Sequence, residues 1–304
     1  MKIETTMNDQ SKYTVEKKVA KVVVTYCLAT KFDAKNLKRT SSVTSLGTNI
    51  RHIKGAIATN MQTVATGKYR IFVLPSQLNA AEYQSEKVDR VVKLVAAYID
   101  DGMGGPSGQL AGDPGIAQFI IDNARNETRS ADTGIDNTRL MGQIPGISLQ
   151  NGYLQVEADA DVTKFEAQLH LMTVMGVMDV PVRGLVKDRK SFVKQTNSAV
   201  GLIYASAVPI NNYGNESSDA VKRVAYLTLF AQYTGSMRLA VDKTNCELYL
   251  MPLGGGYFKN NRANVRAAMV SAAALMEKEL KKASVDVFVL TFDEKSEEVE
   301  FFSA

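Results

Sequence analysis

The sequence predicts an α/β protein in which a largely parallel or mixed sheet lies between two layers of helices. Three observations carry that expectation: short apolar runs of strand length, amphipathic stretches of helical period between them, and glycine-rich connections where one gives way to the other. Nearly continuous apolar runs are what strands covered on both faces look like. They occur at 19–29 (VAKVVVTYCLA), 70–74 (RIFVL), 200–209 (VGLIYASAVP), 246–251 (CELYLM) and 285–292 (VDVFVLTF), with a further strand expected at 152–156 (GYLQV).

Helices fall between them. From 85 to 99, Val88, Val91, Val92, Val95 and Ile99 share one face, with Asp89, Arg90 and Lys93 opposite. Asp113 followed by Pro114 pairs a capping acceptor with the proline favoured at a first helical position. The stretch 217–237 is apolar almost all round and predicts a buried helix. Over 262–282, Val265, Met269, Ala272, Met276 and Leu280 recur at helical spacing, and Lys278, Lys281 and Lys282 suit the negative end of the helix dipole. Polar stretches at 31–47 and 126–136 read as flexible connections, and no internal repeat is evident. The expected organisation is an N-terminal extension over 1–69, with one strand and a basic loop packed on the main domain, followed by a single domain over 70–304.

Composition narrows the chemistry. The chain has 304 residues, 45% hydrophobic, with 36 Lys and Arg against 32 Asp and Glu. That suits a folded domain with a large core, and a net charge of +4 spread evenly offers no basic stripe for nucleic acid. Cys27 and Cys246 lie far apart, as do His52 and His170, so neither a metal cluster nor a CxxC redox pair is written here. His170 among apolar neighbours, and Met172, Met175 and Met178, read as packing. The polar start at 1–10 lacks the apolar core of a signal peptide, and no run approaches the ~18 residues of a membrane span, so the expectation is a cytoplasmic protein with no membrane partner.

Three segments offer chemistry. After the 246–251 strand comes Pro252-Leu253-Gly254-Gly255-Gly256-Tyr257-Phe258-Lys259-Asn260 and then a helix. Three glycines at such a junction either present N–H groups to an anion or only reverse the chain. It is neither G-x-G-x-x-G nor a Walker loop. A second glycine-rich connection at 100–112 contains Asp101, Gly104, Gly105 and Pro106. The third continues the 70–74 strand as Pro75-Ser76-Gln77-Leu78-Asn79-Ala80-Ala81-Glu82, where Asn79 and Glu82 are either site groups or a capping box.

Together these segments resemble the macro domains, a family that binds ADP-ribose, and in particular a divergent branch of bacterial-effector-type ADP-ribosyl hydrolases. Residues 76–82 are similar to that branch's S-Q-F-N-x-L-E, with Leu78 at the Phe. Residues 100–106 are similar to N-D-x-T-Q-G-P, with Met103 and Gly104 at the Thr and Gln. Residues 251–260 are similar to T-L-x-G-G-G-x-F-G-N, with Lys259 at the last Gly. The loop at 204–213, containing Asn211, follows the same order of strand, polar loop and helix, and the resemblance runs from about 70 to 293.

The resemblance implies a macro-like three-layer fold whose diphosphate loop is Gly254, Gly255, Gly256, Tyr257, Phe258 and Asn260. Gln77, Asn79, Gly104, Gly105, Pro106 and Asn211 would be further ligand contacts. It implies hydrolysis of an ADP-ribosyl linkage by Glu82 and Asp101, one handling water and the other gripping the ribose or the modified side chain. No cofactor or metal is then required, ADP-ribose is ligand or product, and the partner is an ADP-ribosylated protein. A reader that binds without turnover, or a partner-binding protein with a degenerate crevice, are the competing expectations.

Overall fold

The computed structural model describes residues 14–19, 22–28, 50–54, 67–78, 144–150, 152–169, 172–185, 192–210 and 217–291. They build an α/β domain on an eight-stranded mixed sheet and a two-stranded hairpin. The strands are β1 (Thr14–Val19), β2 (Val22–Leu28), β3 (Ile50–Lys54), β4 (Tyr69–Pro75), β5 (Ile147–Gln150), β6 (Tyr153–Val156), β7 (Thr173–Leu185), β8 (Phe192–Ala205), β9 (Cys246–Leu250) and β10 (Asp286–Thr291). The helices are α1 (Val162–Gln168), α2 (Asp219–Lys243) and α3 (Arg262–Lys282).

The large sheet runs β1-β2-β7-β8-β4-β9-β10-β3. Its first three pairings are antiparallel, and from β8 to β3 every pairing is parallel. Where one strand is expected before residue 70, three are present, and all three belong to this sheet: β1 closes one edge and β3 the other, beside β10. β5 and β6 form the separate antiparallel hairpin.

Both faces of β4, β9 and β10 are buried, which is why these strands read as unbroken apolar runs rather than alternating ones. On one face Ile71, Val73, Ile203, Leu248, Leu250, Val287 and Val289 join a cluster with Val224 and Leu227 of α2 and Val265 and Met269 of α3. Each such side chain fully buried contributes about 1.5–3 kcal/mol. On the other face Phe72 stacks on Tyr249 at 4.6 Å and Tyr249 on Phe288 at 5.1 Å, all three buried.

The expected buried helix is α2, which continues to Lys243 and is capped by Ser218 accepting from Val221 N. It lies so close to the sheet at Gly235 that a Cβ there would sit 2.5 Å from Val174 Cγ2. α3 matches its expected bounds, with Asn261 as cap. The 19–29 run narrows to β2, and the 200–209 run begins earlier, as β8 from Phe192. Met172 and Met178 are buried in the core as the packing reading expects, and Met178 lies on β7, whose two register shifts against β8, with Asp179 at φ 57° inside the first, break the alternation that would have announced a strand. The expected helices over 85–99 and after Asp113, the polar stretches at 31–47 and 126–136, and His170 lie outside the described residues.

Candidate functional site

Parallel strands deliver their C-terminal ends, and the loops that follow, to one edge of a sheet, where α/β proteins gather ligands. Here β4, β8 and β9 bring Ser76–Leu78, Ser206–Ile210 and Met251–Asn261 to that edge. The loops are tied together. Ser76 N donates to Ala205 O at 2.9 Å, Ile210 N to Phe258 O at 2.9 Å, and Leu78 N to Gly152 O of the hairpin turn at 2.9 Å.

The glycine loop has a defined shape. Asn260 donates through Nδ2 to Val208 O at 2.8 Å and to Gly254 O at 3.3 Å, and its own N–H returns to Gly254 O at 3.0 Å. Tyr233 of α2 reaches in, donating to Met251 O at 2.7 Å and accepting from Leu253 N at 2.9 Å. Burial pushes the Tyr233 phenol above the ordinary tyrosine range, so it stays a donor, although the Leu253 N–H opposes that shift. Gly254 has φ +68°, and a Cβ on it would come within 2.5 Å of Asn260 Nδ2 and 2.7 Å of Ala207 Cβ. Only glycine fits both the conformation and the space.

Gly255 N–H is spent within the loop on Pro252 O at 3.2 Å, whereas among the described residues Gly254 and Gly256 N–H have no acceptor. Around Gly256 there is open space, so the loop is open to solvent at that point. α3 starts immediately afterwards, and its N-terminal N–H groups carry the positive end of the helix dipole toward the loop. Asn261 Oδ1 satisfies one of them, accepting from Ala263 N at 2.8 Å. Tyr257 stands 72% exposed, while Phe258 lies edge-on to Tyr153 at 5.0 Å and joins the loop to the hairpin. Lys259 has φ +53°, in the left-handed region that favours glycine, the residue the similar motif carries at this position.

The strand ends add polar groups. Gln77 is 1% exposed, yet among the described residues neither of its amide atoms has a hydrogen-bond partner. Ser76 Oγ, Tyr204 Oη and Ser206 Oγ are likewise buried and unpartnered. Tyr204 and Ser206 were not marked by sequence reasoning; the signal was there, two polar side chains at alternate positions ending an otherwise apolar run. Of the expected site residues, the structure brings Gln77, Gly254, Gly255, Gly256, Tyr257, Phe258 and Asn260 to one edge. Asn260, expected to touch ligand, uses its side-chain amide inside the loop. Glu82, Asp101, Asn79, Gly104, Gly105, Pro106 and Asn211 lie outside the described residues. Among the described residues no cluster of His, Cys, Asp or Glu could hold a metal ion, and no helix is long and apolar enough to cross a membrane.

No protein-family model matches the chain, and no curated protein does. Among solved structures it is similar to poly(ADP-ribose) glycohydrolase from Deinococcus radiodurans in complex with ADP-ribose, at 13% identity over 88% of this chain and 87% of that one, with a TM-score of 0.45. A mutant of poly(ADP-ribose) glycohydrolase from Thermomonospora curvata matches at 12% identity over 84% of this chain and 78% of that one, with a TM-score of 0.46.

Proposed function

We propose that the chain is a macro-type domain that binds ADP-ribose in the crevice at the C-terminal ends of β4, β8 and β9, and that it hydrolyses an ADP-ribosyl linkage on a modified protein. The observation that carries this reading is the pairing, at one sheet edge, of a glycine loop opening a long helix with buried polar side chains that have no partner. The first is suited to a diphosphate and the second to the neutral groups flanking it.

In this reading the Gly254 and Gly256 N–H groups and the first turn of α3 hold the diphosphate. Tyr257 covers the neighbouring ribose. Glu82 and Asp101, which the similarity to the hydrolase branch singles out, divide the chemistry. One takes a proton from water as its oxygen attacks the anomeric carbon; the other holds the ribose hydroxyls or the modified side chain while the bond from that carbon to the side chain breaks. The products are ADP-ribose and the restored side chain, which leaves carrying a proton.

Calorimetric titration with ADP-ribose, with ADP and NAD as controls, tests the binding step. Saturable binding that Gly256→Glu abolishes is the expected result, since a Cβ at Gly256 meets open space and the added carboxylate repels a diphosphate. No heat from a folded sample overturns the reading. For turnover, Glu82→Gln and Asp101→Asn should each stop release of ADP-ribose from a modified protein while leaving ADP-ribose affinity within about threefold. Binding without release by the unaltered chain would make it a reader.

A further inference from the structure

Three hydroxyls and one carboxamide are buried without partners among the described residues where β4 and β8 end: Ser76 Oγ, Tyr204 Oη, Ser206 Oγ and both polar atoms of Gln77. None of these residues is more than 4% exposed. β4 and β8 are parallel, with Leu74 beside Tyr204 and Pro75 beside Ala205, and the bond from Ser76 N to Ala205 O carries the pairing one residue further. Side chains alternate between faces along a strand. Tyr204, Ser206 and Ser76 therefore share one face, and Gln77 opens the turn that follows.

Folded proteins leave few buried polar groups unbonded, and each one left so costs folding free energy. Four neighbouring side chains in that state leave hydrogen-bonding capacity that a bound group can complete. The cluster carries no charge, and burial keeps the Tyr204 phenol protonated by raising it above the ordinary range. Every member both donates and accepts. A phosphate only accepts and would leave half of that capacity unused, whereas sugar hydroxyls and the edge of a base offer donors and acceptors together.

We infer that Ser76, Tyr204 and Ser206, with Gln77, form a neutral subsite that hydrogen-bonds a sugar or base of the ligand, apart from the glycine loop that takes its diphosphate. This rests on the ADP-ribose reading above and specifies which part of that ligand enters the sheet edge.

The test uses the full chain with Tyr204→Phe, Ser206→Ala and Ser76→Ala, reading the thermal midpoint without ligand and the calorimetric affinity for ADP-ribose and for ADP. Removing an unpartnered hydroxyl should leave the ligand-free midpoint unchanged or raise it, while ADP-ribose affinity falls about tenfold for each hydroxyl that bonds the ligand. A loss shared with ADP assigns the subsite to the adenosine; a loss confined to ADP-ribose assigns it to the second ribose. Unchanged affinity in all three variants overturns the subsite and leaves the crevice reading standing. A lower ligand-free midpoint with unchanged affinity overturns it too, because the hydroxyls then serve the fold. If the unaltered chain does not bind ADP-ribose, both inferences fall together.

Discussion

The two ends of the parallel strands treat polar groups in opposite ways. At their N-terminal ends the polar groups are paired. Lys68 meets Asp286 at 2.8 Å, Asp179 N donates to Tyr69 Oη at 2.7 Å, and Lys243 bonds Asp179 at 3.1 Å while lying 4.1 Å over the Tyr69 ring. Even the Cys246 thiol donates, to Ala240 O at 3.3 Å. At the C-terminal ends Ser76, Gln77, Tyr204 and Ser206 are far more deeply buried than those ion pairs, and their side-chain polar atoms have no partner among the described residues. The same strands therefore finish their hydrogen bonding at one end and leave it open at the other, a difference that packing alone does not require. One end maintains the sheet; the other carries the proposed crevice.

Substitutions at each end can break or sharpen that contrast. The largest effect is expected at Gly254→Ala, where a Cβ in a left-handed conformation collides with Asn260 and Ala207. We expect a loss of about 3 kcal/mol in urea unfolding and no measurable ADP-ribose binding; wild-type stability would mean the loop repacks freely. Asn260→Ala leaves Val208 O without its donor. It should cost about 2 kcal/mol and weaken binding by loosening the loop, which paired urea and calorimetric measurements will separate.

The opposite end should respond to pH. Burial pushes the Cys246 thiol up from its ordinary 9 to about 12, so the fold keeps it protonated where the unfolded chain ionises it. Its contribution is whole below pH 9 and drains away as pH rises toward 12, and Cys246→Ala should show a shallower fall in stability across that window. Lys243→Met removes a half-exposed ion pair and a contact over the Tyr69 ring. A cost near 0.5–1 kcal/mol with unaltered ligand affinity is expected; a change in affinity would erase the distinction between the ends. The smallest effect is a gain: Lys259→Gly relieves a positive φ and should raise stability by about 0.5 kcal/mol in the same urea assay.

Elements whose burial is uniform were legible in the sequence. β4, β9 and β10 are apolar runs because both their faces are covered, and α3 announces itself by Val265, Met269, Ala272, Met276 and Leu280 and by the lysines of its last turn. β7 was hidden by its own irregularity, since Pro181 and the left-handed Asp179 sit where a regular strand would alternate. β1 and β3, TVEKKV and IRHIK, are edge strands rich in charge and carry little apolar signal. At the site, the glycine loop was legible because glycine is demanded by its backbone, whereas the role of Asn260 as an internal brace and the isolation of Tyr204 and Ser206 depend on neighbours far away in the chain. Nothing local in VGLIYASAVP distinguishes a hydroxyl that will find a partner from one that will not.

β3 lies beside β10, pairing Ile50 with Val287, so strands more than two hundred residues apart in the chain must meet. During synthesis β3 emerges long before its partner exists, and this edge of the sheet stays open until every other described strand of the sheet has been made. Closing so long a loop is entropically slow. The protein should therefore mature late and cooperatively, with β3 docking as one of its final steps, and chains halted before β10 should carry an unpaired strand prone to association with one another.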